Sequence, residues 1–118
     1  MFKSGVTIWY SVTSVEATLA FYTEKLGFTS EFHDVSSGMA VVQTNVKDCY
    51  IGLSESEAVV PSTSATVFEV ANVEEAVQLL KQKGVSFVGG IETVPGVVKF
   101  ATFSDPDGHS LELSESIA

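Results

Sequence analysis

Leu53-Ser54-Glu55-Ser56 returns sixty positions later as Leu113-Ser114-Glu115-Ser116, and Val12-Thr13-Ser14-Val15-Glu16 has a counterpart 58 positions on in Val70-Ala71-Asn72-Val73-Glu74. Two spacings that differ by only two residues describe one unit of just under sixty residues, present twice with small loop insertions. The halves can therefore be compared position by position, and that comparison is the best tool the sequence offers for finding a site.

Outward from the repeats, each half opens with a short run of β-formers, Thr7 to Val12 and Ala65 to Val70, followed at once by a helical pattern. Val15, Leu19, Tyr22 and Leu26 fall on one face of the first helix, and Val73, Ala76, Val77 and Leu80 on one face of the second. Ser14 and Asn72 stand at matching N-cap positions, and Gly27 and Gly84 at matching C-terminal stops. Glu16, Glu74 and Glu75 lie in first turns and Lys25, Lys81 and Lys83 in last turns, as the helix dipole favours. Three β-like runs follow each helix: Thr29 to Val35, Met39 to Thr44 and Cys49 to Ser54, then Ser86 to Gly90 continuing toward Thr93, Val98 to Phe103 and Ser110 to Ser114.

Each half thus reads βαβββ, an α+β arrangement. Module one runs from about residue 5 to 56, a connector containing Pro61 and Ser62 fills 57–63, and module two runs from about 64 to 116. About 55 residues alone would make a marginal core, so the two modules are expected to form a single domain over 1–118. One helix covers one sheet face, and the other face must meet something else. In a duplicated chain the uncovered faces are expected to curve around a cavity, with the helices outside, either between modules or between subunits.

Composition narrows the function classes. Hydrophobic residues make up 45% and charged residues 18%, as in a folded protein. The net charge of -9, with six Lys and Arg together, argues against a surface that tracks phosphates, so no nucleic-acid partner is expected. No apolar stretch approaches twenty residues, and Lys3 is not followed by a hydrophobic run and cleavage site, so a soluble, cytoplasmic protein without a membrane partner is expected. Cys49 is the single cysteine and reads as a packed thiol; it leaves no internal disulfide and no thiolate zinc cluster.

Val12-x-Ser14-Val15-Glu16, Phe21-Tyr22-x-x-x-Leu26-Gly27-Phe28 and Asp105-Pro106-Asp107-Gly108-His109-x-x-Glu112-Leu113 together resemble the vicinal oxygen chelate superfamily, the glyoxalase, bleomycin-resistance and extradiol-dioxygenase group. The resemblance spans nearly the whole chain and implies paired βαβββ modules forming a cupped mixed sheet, often completed by dimerisation. It also implies a divalent metal held by side chains on the first and last strands of the modules. Carried over residue by residue, those positions fall on Thr7, Gly52, Ala65 and Glu112. Only Glu112 can serve as a carboxylate ligand, whereas such a site needs three or four converging donors. Neighbours at one residue's misalignment offer neither imidazole nor carboxylate. No metal and no cofactor are expected; a divalent metal held by Glu112 with donors elsewhere is the alternative.

Strand alternation then assigns the faces. If Glu112 points inward, so do Ser110 and Ser114, Thr7, Trp9 and Ser11, Tyr50, Gly52 and Ser54, and Ala65, Val67 and Glu69. Trp9, Tyr50, Glu69, Phe103 and Glu112 are the candidate ligand-binding residues; no catalytic residue is assigned, with Glu112 the base should the protein be an enzyme. The Asp105 to Gly108 turn is read as structural, His109 as a turn residue and His33 as a surface strand residue. The expected function is metal-free binding of a small molecule, a drug or metabolite, by a homodimer. A metal-dependent lyase, isomerase or dioxygenase and a non-binding structural or regulatory dimer are the alternatives.

Overall fold

In the computed structural model, which describes residues 1–118, the chain falls into two units, Met1–Val60 and Pro61–Ala118. The first holds β1 (Val6–Val12), α1 (Val15–Ala20), a π-helical turn (Phe21–Lys25), β2 (Thr29–Asp34), β3 (Met39–Gln43) and β4 (Cys49–Glu55). The second holds β5 (Thr66–Glu69), α2 (Val73–Gln82), β6 (Phe87–Val94), β7 (Val98–Ser104) and β8 (Ser110–Ser116). Their sheets repeat one topology, β1-β4-β3-β2 and β5-β8-β7-β6, with β1–β4 and β5–β8 parallel and the other pairs antiparallel. These are tandem βαβββ modules of the α+β class, as the repeats imply.

Local chemistry explains why the helices start where they do. Ser14 is extended and its hydroxyl accepts the Ala17 N–H at 3.1 Å, while Asn72, also extended, accepts the Glu75 N–H at 2.9 Å. Each cap satisfies a donor that the first helical turn would otherwise leave open. The second helix ends as its sequence predicts, with Gly84 at φ +86°. The first does not run through as one α-helix. After Ala20 the chain widens into the π turn, in which Leu26 N–H donates to Phe21 C=O at 3.3 Å. Phe21 and Tyr22, which open this turn, are both buried, with rings 5.4 Å apart edge to face.

Each helix packs on one face of its own sheet, α1 on β3 and β4 and α2 on β6, β7 and β8. The face beneath α1 carries Tyr10, Val12, Ala40, Val42, Ile51 and Leu53, and the one beneath α2 carries Phe68, Ala101, Phe103, Leu111 and Leu113; all are buried. Fully burying a side chain of this size stabilises a fold by about 1.5–3 kcal/mol, so these two apolar layers anchor the units. Two irregularities interrupt the antiparallel ladders. Glu31 is an extra residue between Ser30 and Phe32 on β2, and β6 bulges between Val88 and Glu92, where Gly89 takes φ +70°.

Candidate functional site

The opposite face of each sheet carries no helix, and register decides what it displays. In the first unit Trp9 stands opposite Gly52, Gly52 opposite Val41, and Val41 opposite Phe32, a row of four across β1, β4, β3 and β2. Its two ends are open: Trp9 is 52% and Phe32 48% exposed, against zero for Ile51 and Leu53 on the covered face. The second unit has the matching row Val67, Glu112, Thr102, Val88, with Val67 and Val88 exposed at its ends. Trp9 thus matches Val67, and Gly52 matches Glu112. One row has a bare glycine where the other has a carboxylate.

Gly52 is required by its neighbour. A Cβ placed there would come within 2.6 Å of the Trp9 ring, because the indole lies across the glycine's backbone. The side chain missing from Gly52 is replaced in space by an aromatic plane from the next strand. Changing Gly52→Ala is therefore expected to lift the indole off the sheet. Since Trp9 is half exposed and can move, the stability cost should sit near the low end of overpacking, about 1 kcal/mol, while the emission of the single tryptophan shifts to the red. Unchanged emission would show that the ring does not rest on the glycine.

The other predicted residues are distributed over these faces with one exception. Tyr50, half-buried, lies beside Thr7 and Gln43 on the Trp9 face. Glu69 stands opposite Ser114 and Glu112 opposite Val67, so the two carboxylates are diagonal neighbours on adjacent parallel strands; Glu69 is exposed and Glu112 half-buried. Strands β5 and β8 contain no Lys or Arg, and the one lysine of β7, Lys99, reaches Glu74 on α2 at 2.9 Å. Phe103 is the correction. It pairs with Leu111, one step out of phase with Thr102 and Glu112, and is wholly buried against Phe87 with ring centroids 5.5 Å apart. It belongs to the core under α2 and does not wall the open face.

Phe32 was missing from the residues singled out in the sequence. The extra residue Glu31 displaces strict alternation along β2 and hides the fact that Phe32 shares a face with Trp9. A large aromatic in the otherwise polar run Thr29–Asp34 was the available signal. Glu115 was also read only as part of a repeat. Its Oε1 accepts the Val73 N–H at 2.8 Å and ties β8 to the start of α2. The equivalent Glu55 instead lines a cavity of about 200 Å³ with Ser14, Val15, Glu16, His33, Val35 and Gly38. His33 is exposed on β2, as read from sequence, and the Cys49 thiol is free and half-buried.

The Asp105 turn is held by its own carboxylate: Oδ1 accepts the N–H groups of Asp107 and His109, each at 2.9 Å, while buried Oδ2 has no partner. Burial pushes the Asp105 carboxyl up, against the opposing pull of the His109 backbone N–H and the imidazole. A carboxyl raised in the fold contributes stability that is complete below its unfolded value and is lost as pH rises through its folded one. Asp105→Asn keeps an acceptor at Oδ1 and removes the titration. Whatever its offset, this variant is expected to gain on the parent as pH rises from about 4 to 7, measurable by urea unfolding; a constant difference would refute the burial argument.

The donor set can be tested against a metal. The four positions implied by the family pattern hold a threonine hydroxyl at Thr7, no side chain at Gly52, a methyl at Ala65 and the carboxylate of Glu112. No group of three or more His, Cys, Asp and Glu side chains that could hold a metal ion occurs. These residues do not fit a divalent-metal centre of the ordinary kind.

A family model for the Glyoxalase/Bleomycin resistance protein/Dioxygenase superfamily matches residues 6–113. The chain belongs to that superfamily. No curated protein matches it. Among solved structures, an integron cassette protein from the mobile metagenome of a Halifax Harbour sewage outfall is 25% identical with a TM-score of 0.82, over 97% of this chain and 99% of that one. TnmS3, an antibiotic binding protein from a Streptomyces species, is 21% identical with a TM-score of 0.80, over 98% and 97%. FosX, a genomically encoded fosfomycin resistance protein from Listeria monocytogenes, is 20% identical with a TM-score of 0.81, over 98% and 95%. The last two likenesses show the shared fold alone. No helix is long and apolar enough to cross a membrane.

Proposed function

We propose that this superfamily member binds a small molecule without a metal, holding a planar, cationic drug or metabolite and leaving it unchanged. The observation that carries the reading is the Trp9 indole laid over Gly52, at the position equivalent to Glu112. The position on which the family pattern would put a metal ligand is here covered by an aromatic plane, with Tyr50 on the same face. Indole faces attract cations and flat aromatic groups. Glu69 and Glu112 provide unpaired negative charge on the open face of the second unit, and the whole chain carries -9. The printed description of TnmS3 as an antibiotic binding protein is consistent with this use of the fold. The reading takes the two units as one domain that works as a cytoplasmic homodimer, its open sheet faces needing cover.

The test is titration with acriflavine, a planar aromatic cation, following the emission of the single tryptophan and the melting temperature. Quenching with a raised Tm is the expected result. No change in either removes the basis of the proposal. Half-buried Glu112 favours one competing reading, an enzyme whose metal it holds with other donors. Metal analysis of protein purified without chelator separates the two: near-stoichiometric metal that is lost in Glu112→Ala would replace binding with catalysis.

A further inference from the structure

We propose that His109 is a proton-operated latch that fastens the first residues of the second unit to the β7–β8 turn and lets them go on acidification. His109 is 97% inaccessible, with 3% exposed. Its Nδ1 accepts the Ser62 backbone N–H at 2.8 Å, across 47 positions of sequence. An imidazole nitrogen that accepts carries no proton, so the neutral ring holds its hydrogen on Nε2. Protonating Nδ1 turns the acceptor into a donor facing a donor, and the bond to Ser62 cannot survive.

That bond holds a short stretch of irregular chain. Residues 56–65, between β4 and β5, form neither helix nor strand. Ser62 is tied twice, by its N–H to His109 and by its C=O, which accepts the Ser110 N–H at 3.2 Å. Ser62 Oγ donates to Ser64 C=O at 3.0 Å, so the fastening extends to the residues leading into β5. The backbone of His109 is itself held by the turn: its N–H donates to Asp105 Oδ1 at 2.9 Å, and Asp105 N–H donates to its C=O at 3.2 Å.

The turn that carries His109 also carries two carboxyls, Asp105, which lies close enough to interact with the imidazole, and Asp107; Pro61, Ser62 and Ser64 have no titratable side chain. The output of the latch is local: a segment spanning about residues 57–64 freed while the sheets stay folded.

The experiment is hydrogen exchange by NMR on the whole chain at pH 7.5 and 5.5, corrected for intrinsic rates, with imidazole 15N shifts recorded in parallel. Protection of the Ser62 amide is expected to fall about tenfold, the effect of losing roughly one buried hydrogen bond, while the Leu113 amide in β8 holds. His109→Asn supplies an oxygen near Nδ1 that does not titrate and should keep Ser62 protected at both pH values. Several results would overturn the latch: constant Ser62 protection, an equal fall in His109→Asn, Ser62 and Leu113 falling together, or a proton on Nδ1 at pH 7.5. If His109→Asn does not fold, the wild-type midpoint for Ser62 release must coincide with the His109 titration and not that of His33, and a mismatch refutes the proposal.

Discussion

Replacing Phe103 with alanine is expected to lower stability by about 3–5 kcal/mol, the usual range for emptying a wholly buried aromatic site. In a chain of this length that corresponds to a fall in Tm of about 10 °C or more. The ring is fully enclosed, lies against Phe87, and shares its face with Ala101, Leu111 and Leu113 under α2. Little around it can collapse to fill the gap, because its neighbours belong to two paired strands and a packed helix. Phe103→Leu should recover a good part of the loss. The same variants should bind acriflavine at low temperature as well as the parent does. A Tm held within a degree or two while binding weakened would place Phe103 on the open face and reverse the register argument.

Trp9→Ala is expected to do the opposite. The indole is half exposed, so its removal should cost the fold little. Its loss from the open face should weaken acriflavine binding roughly 3–30-fold, the equivalent of about 0.5–2 kcal/mol of stacking and cation–π attraction. Trp9→Phe keeps a smaller plane over Gly52 and should fall between the two. The measurement is calorimetric titration, since the variant has lost its fluorophore. Equal affinity in Trp9→Ala would mean that the ring is merely a lid on the glycine and that any ligand sits elsewhere.

How much of this was readable in advance depends on how far apart the partners are. Helix starts at Ser14 and Asn72 were legible because a cap is made with residues three positions away, and the βαβββ order because turn formers and periodicity are local. The faces of Trp9 and Glu112 followed from alternation in strands that run straight. Phe32 escaped because one bulged residue shifts the phase, and Phe103 was misplaced because its face is fixed by pairing with Leu111, across a turn. The π turn at Phe21–Lys25 left no mark in a sequence whose apolar spacing also suits an α-helix. His109 meets Ser62, 47 positions away in the chain, and no local pattern announces that contact.

The bulge in β6 has a bearing on solubility. An outermost strand with unpaired N–H and C=O groups invites the edge of another molecule, and β6 is eight residues long with Val88, Ile91 and Val94 exposed. Gly89, at φ +70°, puts a kink in that border, and Gly90 beside it offers an intruder no side chain to grip. A stranger's strand could match only the few residues on either side of the break. Within the sheet of the second unit, the kink interrupts the longest edge along which such pairing could start.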